Sequence, residues 1–250
     1  MFKFFFKTTS PLRVLMYHKI SADGYNDYLT VPAAALEAQF KYLVNENYSP
    51  ISFSDLVKHV RCGKTLPAKP VLITFDDGYR DNYTVMYPLL KKYGMKANIF
   101  LVPSFLEQQG SAANGEEYLS LHDIQAMDRQ LVEYGLHSFD HKSYKMLSAA
   151  EIDMDIAKTK ARLITMNIPF QPCLAFPYGA FPKRNPAKLA AFFNVLTENK
   201  VALAFRIGNR LNELPLENPL LIQRLDIRGN DPFEKFTSLL RRGKSIMDKV

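Results

Sequence analysis

Val71-Leu-Ile-Thr-Phe75 runs directly into Asp76-Asp77-Gly78-Tyr79, and the reading of this stretch decides the fold. Its first five positions show no polar alternation, which suits a parallel strand buried on both faces. The glycine and the two carboxylates that follow mark where the strand ends. Asp-Asp-Gly is good turn chemistry, so by itself the tripeptide is as consistent with a plain turn as with a site. Neighbouring carboxylates repel, however, and burying both requires a cation or a proton nearby.

Working outward, six further short apolar runs have the same character: Val14–Tyr17, Ala97–Val102, Leu131–Tyr134, Leu174–Phe176, Val201–Phe205 and Leu220–Ile222. Helical patterns fall between them. Pro32 opens one helix, with Leu36, Phe40, Leu43 and Val44 expected on one face. Asn82 to Tyr93 reads as a second, closed by Gly94. Ser148 and Glu151 form a capping box ahead of a long helix ending before Pro169. Strands that alternate with helices, without repeats or linkers, predict one α/β domain, a barrel or distorted barrel.

The chain has 250 residues and a net charge of +7, with 47% hydrophobic and 23% charged residues. That mix excludes collagen-like, disordered and disulfide-scaffold classes. Cys62 and Cys173 fit no metal spacing and are expected to be buried thiols. No apolar run reaches the ~18 residues needed to span a membrane. The segment Met1-Phe-Lys-Phe-Phe-Phe-Lys7 falls short of the ~7–15 apolar residues of a signal peptide. A cytoplasmic protein is expected, with this end resting against the inner membrane face. The surplus of positive charge fits an anionic or membrane-associated substrate, or simply a lysine-rich solvated surface. No arginine-rich tract points to nucleic acid.

Three more strand ends carry polar clusters. His137-Ser138-Phe139-Asp140-His141 places two histidines four residues apart; on one helical turn they would face the same side and share a metal. Two histidines and one aspartate would leave a position open for water, the pattern of a hydrolytic centre rather than a closed structural one. Phe176-Pro177-Tyr178-Gly179 reads first as a Pro-aromatic-Gly turn, and in a site such a turn aims a backbone N–H at a reacting oxygen. Leu15-Met16-Tyr17-His18 ends on a histidine whose pKa suits acid–base work. Four such clusters at four strand ends outweigh any one of them.

Taken in order, Thr74–Gly78, His137–His141 and Phe176–Gly179 resemble the motifs of the polysaccharide deacetylase family, also called the NodB-homology or carbohydrate esterase family 4 group. The resemblance runs from about Pro11 to at least Arg228. It implies an N-terminal segment over 1–10 and one distorted (β/α) barrel domain over 11–250. It also implies removal of acetyl groups from N-acetylated or O-acetylated sugars; the substrate expected here is an N-acetylated sugar, oligosaccharide or lipid-linked glycan. By the same resemblance Asp76 is the general base, and Asp77, His137 and His141 hold a divalent metal, most often zinc. Pro177 and Tyr178 then form the substrate turn, with the Tyr178 N–H as oxyanion donor. The late Leu-x-His motif of most members is missing, since Leu221-Ile-Gln-Arg224 has no histidine. His18 matches the N-terminal histidine of a permuted branch similar to poly-N-acetylglucosamine deacetylases, and takes the role of general acid. Ala175 stands where many members have an arginine that orients the base; Arg224 or Arg206 is expected to replace it. Two rival readings remain: an amidase acting on a non-sugar C–N bond, and a non-catalytic glycan-binding relative, favoured by Ala175. His59 and His122 are expected on helix surfaces and Asp140 near the site or solvated. Arg80 and Asp81 are expected as substrate contacts or a surface pair.

Overall fold

The computed structural model describes residues 10–108 and 116–244; the segment Met1–Lys7 therefore lies outside the described residues. The strands, in chain order, are β1 (Arg13–Tyr17), β2 (Lys19–Ser21), β3 (Thr30–Pro32), β4 (Ser49–Ile51) and β5 (Pro70–Phe75). They continue as β6 (Ala97–Leu101), β7 (Val132–Leu136), β8 (Cys173–Ala175), β9 (Leu203–Ile207) and β10 (Ile222–Asp226). The helices are α1 (Ala33–Asn45), α2 (Phe53–Cys62), α3 (Tyr87–Tyr93) and α4 (Pro103–Leu106). After them come α5 (Leu121–Ala126), α6 (Ala149–Thr165), α7 (Pro186–Glu198) and α8 (Phe233–Arg242).

All strand pairs are parallel. β1 pairs with β10 on one edge and with β5 on the other, so β1, β5, β6, β7, β8, β9 and β10 close into a barrel. β4 lies along the first half of β5 (Ile51 opposite Leu72), and β6 takes over the second half (Thr74 opposite Asn98). The result is a seven-stranded, distorted (β/α) barrel. Its seven strands correspond to the seven apolar runs of the sequence; β9 begins at Leu203 rather than Val201 and β10 at Ile222 rather than Leu220, and β2, β3 and β4 were not anticipated.

Alternation along the strands sorts their side chains into two cores. Leu15, Tyr17, Ile73, Phe75, Ile99, Leu101 and Leu136 pack outward under the helices. Val14, Leu72, Phe100, Cys173, Ala175, Leu203 and Phe205 fill the barrel itself. Phe53, the first residue of α2, plugs the floor, its ring 4.8 Å from Phe100 and 5.8 Å from Phe205. Two interior polar groups hold this plug. The backbone N–H of Phe53 donates to Asn98 Oδ1 at 2.8 Å, and that of Ser54 to Glu133 Oε2 at 2.8 Å. They satisfy donors of the first helical turn that have no partner within the helix.

The helices follow local rules with three corrections. α1 starts after Pro32 and buries Leu36, Phe40 and Leu43, but Val44 is exposed, because adjacent residues on a helix point about 100° apart. The Asn82–Tyr93 segment begins as a π-helical turn over Asn82–Met86 before α3, and Gly94 closes it at φ 61°. Cys62 is exposed at the end of α2, while Cys173 is buried; both are free thiols. Ser148 caps α6 in the expected box with Glu151. No helix among the described residues is long and apolar enough to cross a membrane.

Candidate active site

The site lies at the carboxyl ends of the barrel strands, where loops can carry chemistry on a rigid frame. Asp76 and Asp77 follow β5, His137 follows β7, Tyr178 follows β8 and His18 follows β1. The expected helical turn between His137 and His141 is absent. A loop joins them instead, with Ser138 at φ 65° and His141 at φ 59°. Asp77 at φ 73° and Tyr178 at φ 60° are left-handed as well. Each such non-glycine residue costs about 1 kcal/mol or more, and such strain clusters where a site must hold a fixed geometry. Gly179 adds a demand of its own: at φ 62°, a Cβ would come within 2.7 Å of the Ile207 side chain.

Helix α6 holds the histidine loop in shape. Asp155 accepts hydrogen bonds from Ser138 Oγ (3.0 Å), Phe139 N (3.0 Å) and Tyr144 Oη (2.7 Å). In this loop His137 Nε2 lies 3.5 Å and His141 Nε2 3.3 Å from Asp77 Oδ1. The three ligand atoms lie within 4.8 Å of one another. His137 Nδ1 contacts the carbonyl oxygen of Ala175 at 2.9 Å. A carbonyl only accepts, so Nδ1 carries the proton and Nε2 offers its lone pair to the site. Burial pushes His137 down to about 3 and lowers His141, so both rings are neutral donors at ordinary pH. Burial likewise pushes Asp77 up to about 6, and its Oδ1 is buried without a hydrogen-bond partner. An orphaned carboxylate oxygen facing two imidazole lone pairs fits a divalent cation.

Asp76 is held differently. Arg224, completely buried on β10, grips it with two bonds, Nη1 to Oδ1 at 2.6 Å and Nη2 to Oδ2 at 2.8 Å. Burial alone would raise the Asp76 pKa, but Arg224 outweighs it and holds the carboxyl well below its usual range. Of the two arginines offered for the place that Ala175 leaves open, Arg224 is the one that contacts Asp76. Arg206 does not: it lies over the Phe181 ring, 5.5 Å from its centre. His18 Nε2 and His137 Nε2 stand 3.9 Å and 3.7 Å from Asp76 Oδ2. The turn of Pro177 and Tyr178 is closed by Gly179 N donating to Phe176 O at 2.8 Å, and the exposed Tyr178 ring sits 4.6 Å from that of His141.

The remaining candidates disperse. His122 is exposed on α5, and His59 contacts the Lys64 carbonyl at the end of α2. Asp140 pairs with Lys142 at 2.8 Å. Arg80 pairs with Glu117 rather than Asp81, which is pushed up to about 7 by burial. Asp155 was missed, since one aspartate inside an amphipathic helix looks like any solvated residue; Arg224 was named only as one of two options.

A parallel barrel with a carboxylate pair, two imidazoles and a third histidine at its carboxyl mouth has the architecture of a barrel hydrolase. Residues 63–194, more than half of the chain, match the family described as Polysaccharide deacetylase. The chain belongs to that family. The Bacillus subtilis relative YxkH, whose name assigns it to the same family, is 32% identical over 177 residues, 70% of this chain. The poly-beta-1,6-N-acetyl-D-glucosamine N-deacetylase of Escherichia coli K12 is 34% identical over 80 residues, 32% of this chain. The matches cover 60% and 12% of the lengths of those relatives. The solved Streptococcus pyogenes deacetylase PplD superposes with a TM-score of 0.78 at 22% identity, covering 94% of this chain and 100% of its own, and shares the fold.

Proposed function

We propose that this chain hydrolyses the acetyl amide of an N-acetylated sugar or glycan, with a divalent metal held by Asp77, His137 and His141. The observation that carries the reading is the buried, unpartnered Asp77 Oδ1 facing two neutral imidazoles. One carboxylate and two imidazoles suit zinc, which when bound polarises a carbonyl and lowers the pKa of a water. Asp76, kept ionised by Arg224, takes the proton of the attacking water. The Tyr178 N–H, in its left-handed turn, donates to the oxyanion, and loss of one such donor costs about 3–4 kcal/mol in other hydrolases. His18 returns a proton to the departing amine. The names of the relatives, one of them a poly-N-acetylglucosamine deacetylase, support a glycan over a non-sugar amide. Ala175 no longer favours a non-catalytic glycan binder, because Arg224 supplies the charge. A cytoplasmic location at the membrane face, on a lipid-linked precursor, is part of the proposal and is tested by cell fractionation.

The test is metal content together with acetate release from an N-acetylglucosamine oligomer. About one metal per chain is expected, lost in His137→Ala and in His141→Ala. Asp76→Asn keeps the metal and loses at least ~100-fold in turnover. Normal hydrolysis by Asp76→Asn removes the base assignment, and a parent that takes up neither zinc nor cobalt removes the metal centre.

A further inference from the structure

A string of rings crosses the mouth of the barrel. Tyr79 stacks on Tyr118 (5.2 Å), Tyr118 on Phe105 (4.6 Å), Phe105 reaches His141 (6.0 Å), and His141 meets Tyr178 (4.6 Å). The charge at its two ends is opposite. Around Tyr79 the surface hollow is lined by Asp81, Glu116 and Glu117 together with Arg80, which Glu117 pairs. Around Tyr178 opens a larger cleft, of about 410 Å³, whose charged lining is Lys145, Lys183, Arg184 and Lys188, with no acidic residue.

Several cations elsewhere on the surface are paired. Lys19, Lys64, Lys92 and Arg162 each pair with a carboxylate. None of the four in the cleft has an ion-pair partner among the described residues, and all four are exposed. Like charges gathered in a concave wall repel one another and concentrate the field into the cleft, so the arrangement favours an incoming anion. The concavity suits a single group on a ligand rather than a flat surface. Tyr178 lines both this cleft and the metal-ligand cluster, so a bound sugar at the site would carry its neighbouring groups into the cleft.

We propose that the cleft beside Tyr178 receives an anionic group, phosphate or carboxylate, borne by the glycan next to the acetylated sugar. The proposal rests on the deacetylase reading of the site and adds the class of substrate: an acidic glycan, selected by charge on the Tyr178 side.

The test uses zinc-loaded protein and three probes: N-acetylchitotetraose, the same oligomer with a terminal phosphate, and one ending in a uronic acid. Calorimetric titration at low salt is run on the parent and on the triple variant Lys183→Gln, Arg184→Gln, Lys188→Gln. The parent is expected to bind one of the acidic probes about tenfold or more tighter than the neutral one, as three exposed ion pairs allow. Which acidic probe shows the margin separates phosphate from carboxylate. The triple variant loses the margin, while neutral binding and acetate release stay unchanged. A parent without a margin overturns the proposal. So does a margin that survives in the triple variant, since the anion is then held by the zinc. Charge-dependent binding to phosphatidylglycerol vesicles, with no preference among the oligomers, also overturns it and makes the patch a membrane contact. A margin that behaves as expected, with no acetate released from any probe, removes the deacetylase reading and leaves the anion cleft standing.

Discussion

Asp76 and Asp77 are adjacent in the chain, yet their surroundings pull them apart. Asp76 meets a guanidinium and stays ionised, whereas Asp77 meets two neutral rings and is pushed up to about 6 by burial. In the proposed mechanism the first is the base and the second a metal ligand, and these different surroundings suit the two roles. The pairing also has a structural cost if broken. Arg224 and Asp76 are both buried, so Arg224→Met leaves an unpaired charge inside the barrel. It is expected to destabilise the fold by about 3–5 kcal/mol in urea unfolding and to abolish acetate release. Removing both charges, as Arg224→Met with Asp76→Leu, recovers most of that stability but no activity. Equal stability of the single variant and the parent would show that the pair contributes little.

At the scale of the element, the seven barrel strands and three of the helices were legible because periodicity and end signals are local. The His137–His141 loop was not. Its four-residue spacing is that of a helical turn, but the carboxylate of Asp155 on α6 takes Ser138 and Phe139 into a different path. Asp155→Asn keeps the shape and weakens the hold. We expect metal affinity to fall about 10–100-fold, measured by competition with a chelating dye, with far-UV circular dichroism unchanged. Unaltered affinity would mean that the loop holds itself.

The π-helical turn at Asn82 has a pH signature. Asp81 leads into it with a carboxyl pushed up to about 7 by burial, although Asn82 Nδ2 donates to it at 2.8 Å. A carboxyl whose folded pKa lies above the ordinary value of about 4 costs stability as pH rises through that window. At pH 4 the folded carboxyl is protonated and the unfolded one only about half ionised, so little of the cost is present, and at pH 8 the folded state carries the full cost. Asp81→Asn is therefore expected to be more stable than the parent at pH 8 and close to it at pH 4, read from urea midpoints. A constant difference across that range would place the cost elsewhere.

Across the whole molecule, apolar side chains fill the barrel from the Phe53 plug upward, and the site sits on top of that filling, the His137 ring 6.2 Å from that of Phe100. Chelation of the metal should lower the unfolding midpoint only by the binding energy, about 3 kcal/mol at 100-fold saturation, and leave the secondary structure intact. Loss of the far-UV signal on chelation would instead make the metal part of the fold.

The sequence by itself determined seven apolar runs, three of the eight helices among the described residues, and four strand-end motifs in which Asp76, Asp77, His137, His141, Tyr178 and His18 could be named. Those features are local, written within a few residues by side-chain period, caps and turns. Only the tertiary structure decided what completes the site. Arg224 reaches Asp76 across 148 residues of chain because barrel closure brings β10 beside β1 and β1 beside β5. Asp155 meets the histidine loop because α6 packs on the outside of β7. The basic cleft forms because Lys145 and the residues after β8 converge on one side of Tyr178. Such meetings depend on how the chain closes in space, which no short window of residues can express.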